Sequence, residues 1–241
     1  MCLIVFAWQV VPGLPLIAAA NRDEFDARPS AAAQWWTDFP DVYAGRDLDK
    51  AGTWMGITRA GRFAAVTNFR SADQPDNAPC SRGKLVADFL TGSMSSEDYL
   101  HKITQTADNF NGFNLLFGDR HQLIWYSNRA HDDPRNGQPI QPGIYGLSNA
   151  HLDTPWPKVV RTKAEFASLL CQCASEEAFF EMLTDTRRTT DCRLPKTGLP
   201  IELERALSAV CIDTQGYGTR VSTVVKLDGN NGASLVERAL R

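Results

Sequence analysis

The second residue of this 241-residue chain is a cysteine, Cys2, set directly before the apolar run LIVFAW. Its small side chain permits removal of Met1, and the freed residue would then carry both a thiol and an amine. Such groups have reference pKa values of about 8.5 and about 8, so the amine can take the thiol's own proton without a histidine. Taken alone, Cys2 also reads as a small buried hydrophobe in a first strand. Asn21-Arg22-Asp23-Glu24 form a second capable group. A guanidinium beside a thiol favours the thiolate, and a carboxylate can hold an ammonium in place. The same four residues also suit a solvated strand end with a local ion pair. Asn68 and Asn149 each close an apolar run, where amide and backbone donors can receive an oxyanion; asparagine equally ends strands as a turn residue. Arg220 interrupts the apolar run of GYGTRVSTVV, and a charge there needs a partner or an anionic ligand.

Other chemistry finds little support. The remaining cysteines (Cys80, Cys171, Cys173, Cys192, Cys211) have no disulfide-framework spacing, and Cys171-Gln172-Cys173 lacks the partner pair of a metal site. The four histidines are dispersed, and no P-loop, GxGxxG, GxSxG or HExxH occurs. No metal and no required cofactor are expected. A net charge of −3 gives no reason to expect nucleic acid or an anionic membrane as partner. The apolar start lacks a basic n-region, and no later run approaches the ~20 apolar residues of a membrane span. A cytoplasmic protein without an integral membrane segment is the expectation.

The elements that must position these residues begin with a strand over 2–10, a turn at VPGLP and a second strand, LPLIAAA, ending at Asn21-Arg22-Asp23-Glu24. A tight hairpin returns residues 21–23 beside residues 2–4. The stretch with Trp35 and Trp36 reads as loop-rich. TWMGITRAGRFAAVTNF forms a hairpin about Arg59-Ala60-Gly61, and NGFNLLFGDRHQLIWYSN forms one at Gly118-Asp119. Ser81 can cap a helix over GKLVADFL, and Ser95 with Asp98 suits a capping box. After the short strand GIYGLSN come helices near 157–171, 175–184 and 200–211, then a closing hairpin. Segregated blocks with hairpin connections predict an α+β chain of antiparallel sheets, two face to face with helices outside each. No repeat or linker divides it, so one domain over 1–241 is expected.

MCLIVFAW, AANRDEFDARPS, AGTWMGITRAGRFAAVTNFR, NGFNLL, YGLSNAHLDTPWPK and GYGTRVSTVV, in that order, resemble the NRDE family, also called the transport and Golgi organisation protein 2 family. That resemblance implies the four-layer αββα sandwich of the N-terminal-nucleophile hydrolases, with a layout similar to the cysteine-type choloylglycine hydrolase and penicillin V acylase amidases. It makes Cys2 the nucleophile and base, Asp23 the amine anchor, Asn68 and Asn149 the oxyanion donors, and Arg220 a supporting cation. In those amidases the active-site arginine lies three residues before the aspartate. Here that position is Ala20, and the arginine is Arg22, adjacent to Asp23. Neighbouring side chains on a strand point to opposite faces unless the strand has ended or bulged. The resemblance also leaves a carrier open: the family has been implicated in haem mobilisation and in handling acyl-lipid ligands. A small amphipathic ligand with an anionic group would suit Asn21, Arg22, Arg28, Glu24 and Arg220, with Trp8, Trp35, Trp36 and Trp54 as apolar walls and Cys2 or His151 as haem ligands.

Overall fold

The computed structural model describes residues 2–72 and 78–241. The apolar opening forms β1 (Cys2–Val11), which turns at Pro12-Gly13 into β2 (Leu14–Phe25). Gly13 takes a positive φ of 75° there, which an L side chain rarely adopts. Both strands are buried on both faces, which is why their sequences run apolar without alternation. Ile4, Phe6, Trp8, Leu16, Ala18 and Ala20 pack into one core; Leu3, Val5, Ala7, Ile17 and Ala19 pack into another on the opposite face.

Four further strands follow: β3 (Ser30–Trp35), β4 (Val42–Asp47), β5 (Met55–Thr58) and β6 (Phe63–Asn68). The stretch expected to be loop-rich thus holds two strands; β3 is an edge strand with mostly partly exposed residues, so burial leaves no apolar signature in it. Helices α1 (Gly83–Thr91) and α2 (Ser96–Thr106) precede β7 (Phe113–Gly118) and β8 (Leu123–Ser127). Ser95 caps α2 as expected, accepting from the Asp98 N–H at 3.0 Å. Ser81 does not cap α1: the cap position is Arg82, whose side chain makes no capping hydrogen bond. The first turn of α1 is closed by local backbone bonds instead, with the Lys84 and Leu85 N–H groups donating to Ser81 O and Arg82 O at 3.0 Å each.

The last third supplies β9 (Gly143–Leu147), α3 (Pro157–Cys171), α4 (Glu176–Leu183), α5 (Ile201–Leu207), β10 (Asp213–Thr214), β11 (Tyr217–Leu227) and β12 (Ala233–Ala239). One antiparallel sheet runs β10-β11-β2-β1-β9, with β12 also on β11; the other runs β3 to β8 in chain order. The core of Ile4, Phe6 and Trp8 with Met55, Phe63 and Trp125 lies between the sheets. Helices α1 and α2 cover the outer face of the second sheet, while α3 and α4 cover that of the first. The architecture is α+β, a four-layer αββα sandwich. Among the described residues no helix is long and apolar enough to cross a membrane.

Candidate functional site

The β1–β2 register sets Cys2 opposite Arg22, Leu3 opposite Asn21 and Ile4 opposite Ala20, the return that the hairpin predicts. Directly paired residues share a face. Cys2, Ile4, Ala20 and Arg22 therefore line one pocket between the sheets, closed by Trp54, Met55 and Thr223. Arg22 is 6% exposed, with its guanidinium carbon 4.3 Å from the centre of the Trp54 ring. Its Nη2 lies 3.5 Å from Glu24 Oε2, and its buried Nη1 has no hydrogen-bond partner among the described residues. Trp54 can lie there because residue 45 is glycine: a Cβ on Gly45 would sit 2.2 Å from the indole. The remaining void is about 10 Å³, room for about one water. Burial pushes the Cys2 thiol up; Asp23 pushes the same way, against Arg22 and a hydrogen bond from the Asp23 backbone.

Asp23 leaves β2 on the opposite, helix-covered face. The strand does not end at Asn21-Arg22-Asp23-Glu24 but continues to Phe25, because β11 pairs along it as far as Tyr217. Arg22 and Asp23 thus divide between the two faces, as strand parity requires. The bulge falls on β11, where Thr219 pairs with Asp23, Val221 pairs with Arg22, and Arg220 is the extra residue. Released from the ladder, Arg220 donates from Nη1 to the carbonyls of Phe25, Asp26 and Arg28 at 3.0, 3.1 and 3.3 Å. It braces the turn leaving β2. Thr219 Oγ1 donates to Asp23 Oδ1 at 2.7 Å and accepts from the Ile212 N–H at 2.8 Å. Asn21, on the same face, spends both Nδ2 hydrogens on Leu183 O and Val210 O and accepts from Ser222 at Oδ1. It ties β2 to α4 and leaves no amide hydrogen for a ligand.

The two strand-end asparagines meet. Asn149 Nδ2 donates to Asn68 O at 2.9 Å, and Asn149 is fully buried. Ser148 Oγ donates to Cys2 O at 2.9 Å, which places this segment against the start of β1. The segment is held from β6 and β7: Thr67 Oγ1 donates to Ser148 O at 2.5 Å, and Asn114 Nδ2 donates to Ala150 O at 3.0 Å. Asn149 thus has its amide nitrogen engaged, whereas the half-exposed Asn68 side chain makes no hydrogen bond among the described residues. His151 points elsewhere, with Nε2 2.9 Å from Arg129 O and its ring against Phe69.

Of the four tryptophans read as pocket walls, only Trp54 lines the Cys2 pocket. Trp8 packs in the inter-sheet core, Trp36 in the α1–α2 core, and Trp35 meets Tyr43 edge-to-face at the sheet edge. Arg28 is engaged by Asp47 at 2.7 Å. A larger groove of about 490 Å³, bounded by Phe39, Val42, Arg59 and Leu90, contains none of the predicted site residues.

Sequence reading missed a buried ionic cluster beside Asp23. Arg70 Nη1 donates to Glu204 Oε2 at 2.7 Å, with both side chains 3% exposed. The Arg70 N–H donates to Asn149 O at 2.7 Å, and its guanidinium lies over Trp156. Lys158, in the first turn of α3, is 2% exposed, and its Nζ has no hydrogen-bond partner among the described residues. Burial lowers its pKa from 10.5 to about 8, against the pull of Asp23. Burial raises the Asp23 carboxyl, with Lys158 opposing. The motif TPWPK contains Lys158, but a helix-start lysine ordinarily reads as solvent-facing.

The sign of the lysine's contribution follows from that shift. Folded Lys158 binds its proton more weakly than an unfolded lysine, so between about 8 and 10.5 the unfolded chain holds more protons and stability rises with pH. Lys158→Met should stabilise the fold at pH 7 by about 2 kcal/mol. The gain should shrink toward zero as the pH approaches 10.5, and urea unfolding at both ends of the window measures it.

Comparison with known proteins agrees with this layout. The solved structure of a Caenorhabditis elegans N-acylethanolamine-hydrolyzing acid amidase ortholog matches 92% of this chain and 92% of its own, with a TM-score of 0.54 at 12% identity. A mutant conjugated bile acid hydrolase from Clostridium perfringens matches 99% of this chain with a TM-score of 0.44. The fold is therefore shared with the nematode amidase ortholog. The human Transport and Golgi organization protein 2 homolog is 34% identical over the whole chain and 93% of its own length. The Drosophila melanogaster protein of that name is 28% identical over the whole chain. With the Transport and Golgi organisation 2 family model matching residues 1–241, the chain belongs to that family.

Proposed function

We propose that this protein is an N-terminal-cysteine amidohydrolase that cleaves linear, non-peptide amides. The observation that carries the reading is the convergence on Cys2: Arg22 faces it across the hairpin, Asp23 lies beside it, and the Ser148-Asn149 segment is bonded to its carbonyl. Met1, whose removal the chemistry requires, lies outside the described residues. In this reading the freed amine takes the Cys2 proton, Sγ adds to the amide carbon, and the oxyanion is met by the free Asn68 amide. Collapse breaks the C–N bond, the amine group passes its proton to the leaving nitrogen, and water then hydrolyses the thioester. Asp23 holds the ammonium between these steps. The one-water void requires Trp54 to swing off Arg22 before an acyl chain can enter.

The name of the nematode neighbour supplies the probe class, N-acylethanolamines. Intact-mass analysis of the purified chain should show loss of Met1. Incubation with a panel of N-acyl amides should then add one acyl mass, mapped to Cys2 by peptide fragmentation. A retained Met1 sinks the mechanism.

A carrier reading rests on a different observation, the unpartnered Nη1 of Arg22 on the pocket wall. That donor would receive the anionic group of haem or of an acyl-CoA. Haemin titration would then shift the Soret band, with loss of the shift in Cys2→Ala; an acyl-CoA would bind without any adduct on Cys2.

A further inference from the structure

Cys2 is held by the strand ladder on one side only. On the β2 side it pairs directly with Arg22, whereas on the β9 side the register begins at Ile4 opposite Leu147, two residues further in. Chain ends fray where they are not tied down, and loss of Met1 would make Cys2 such an end. On that open side Ser148, the residue after β9, donates from Oγ to Cys2 O at 2.9 Å, nearer than its other acceptor, Asn149 Oδ1, at 3.2 Å.

Ser148 is itself fixed by a buried polar line in a face that is otherwise apolar. Thr67 of β6 and Asn114 of β7 are direct partners, both fully buried, and continue the inter-sheet row of Phe63, Ala65 and Leu116. The Trp125 indole can only donate, so its contact at 3.2 Å makes Oδ1 of Asn114 the acceptor. Nδ2 is thereby turned to Thr67 Oγ1 at 3.1 Å and to Ala150 O at 3.0 Å. Thr67 accepts from it, and its one hydroxyl hydrogen goes to Ser148 O at 2.5 Å. Every donor in the line points from the second sheet toward Cys2. An apolar pair would fill the same row without the cost of burying an amide and a hydroxyl, so packing alone does not account for the two residues.

We propose that Thr67 and Asn114 are positioning residues of the Cys2 nucleophile: through Ser148 they take the place of the missing ladder partner and hold the freed terminal residue at the reacting amide. The assignment rests on the hydrolase reading. Neither side chain lines the Cys2 pocket, and no proton passes along the line. It acts by keeping Sγ in place, where a displacement of about 1 Å costs on the order of 10²-fold in rate.

The test is kcat and KM of the processed chain for the fastest amide of the N-acyl panel. Thr67→Val, which keeps the shape and removes the hydroxyl, should lower kcat by on the order of 10²-fold with KM within about threefold of wild type. Thr67→Ser, which keeps the hydroxyl, should hold kcat within about threefold of wild type. Ser148→Ala breaks the last link and leaves the buried pair intact; it should lower kcat as Thr67→Val does, and it carries the test where Thr67→Val fails to fold. The double variant should lose no more than the worse single one, because both remove the same tie. An unchanged kcat in folded Thr67→Val or Ser148→Ala, or losses that multiply in the double variant, overturns the assignment alone. A retained Met1, or a wild-type chain that turns over no amide of the panel, overturns the hydrolase reading and this assignment together.

Discussion

Cys2→Ala should abolish formation of the acyl adduct and cut amide turnover by on the order of 10⁴-fold or more, while leaving the fold intact. The size follows from covalent catalysis: without the sulfur there is no thioester, and the remaining donors can only polarise a carbonyl. The effect on stability should be small, within about 1 kcal/mol, because the change removes one atom from a partly exposed residue at the start of β1. Nothing else in β1 depends on it; Leu3, Ile4, Val5 and Phe6 carry the packing. Steady-state hydrolysis of the best amide, with thermal melts on the same samples, separates the two readouts. Loss of turnover with an unchanged melting temperature is the expected pair. Cys2→Ser, which keeps a nucleophile of higher pKa, should retain a small residual rate, since alkoxide is harder to generate than thiolate.

Arg70→Met should destabilise the protein by about 3–5 kcal/mol, the usual cost of leaving one member of a buried ion pair without its partner. Here the stranded group is Glu204, 2% exposed, whose other oxygen accepts from Thr197. For a chain of this length, that loss corresponds to a fall in melting temperature of roughly 6–20 °C. Glu204→Leu should be comparably damaging, as it leaves the guanidinium buried above Trp156 with its Nε and Nη2 already unsatisfied. The double variant Arg70→Met with Glu204→Leu should recover most of the loss, because an apolar pair of similar volume often replaces a buried ion pair at little cost. A double-mutant cycle by urea unfolding measures the coupling. Because the Arg70 N–H holds Asn149 O, each single variant should also loosen the segment against Cys2 and speed its alkylation.

Much of this arrangement is legible along the chain. The turn at Pro12-Gly13 returns residues 21–23 beside residues 2–4, but counting back from Val11 opposite Leu14 would set Cys2 opposite Asp23; the bulge between Trp8 and Val11 shifts the register by one and sets Cys2 opposite Arg22. The hairpins at Gly61 and Gly118, the capping of α2 by Ser95 and the α+β order are local features with local signatures. The strand that runs through Asn21-Arg22-Asp23-Glu24 is not legible in that way. Polar residues normally end a strand, and here partners on β11, some two hundred residues distant, extend it to Phe25. Parity along a strand separates Arg22 from Asp23, but only packing decides which of them faces the second sheet and which faces the helices.

By itself, the sequence determined the secondary structure of the first hairpin, the return of residues 21–23 beside residues 2–4 and the family to which the chain belongs. Tertiary structure alone decided that Arg220 would brace a turn, that Asn149 would spend its amide on Asn68, and that Lys158 would be buried beside Asp23. The physical reason is one of range. Periodicity, caps and turns are set by neighbours a few residues apart, whereas a bond such as Arg70 to Glu204 joins positions 134 residues apart and leaves no local pattern to read.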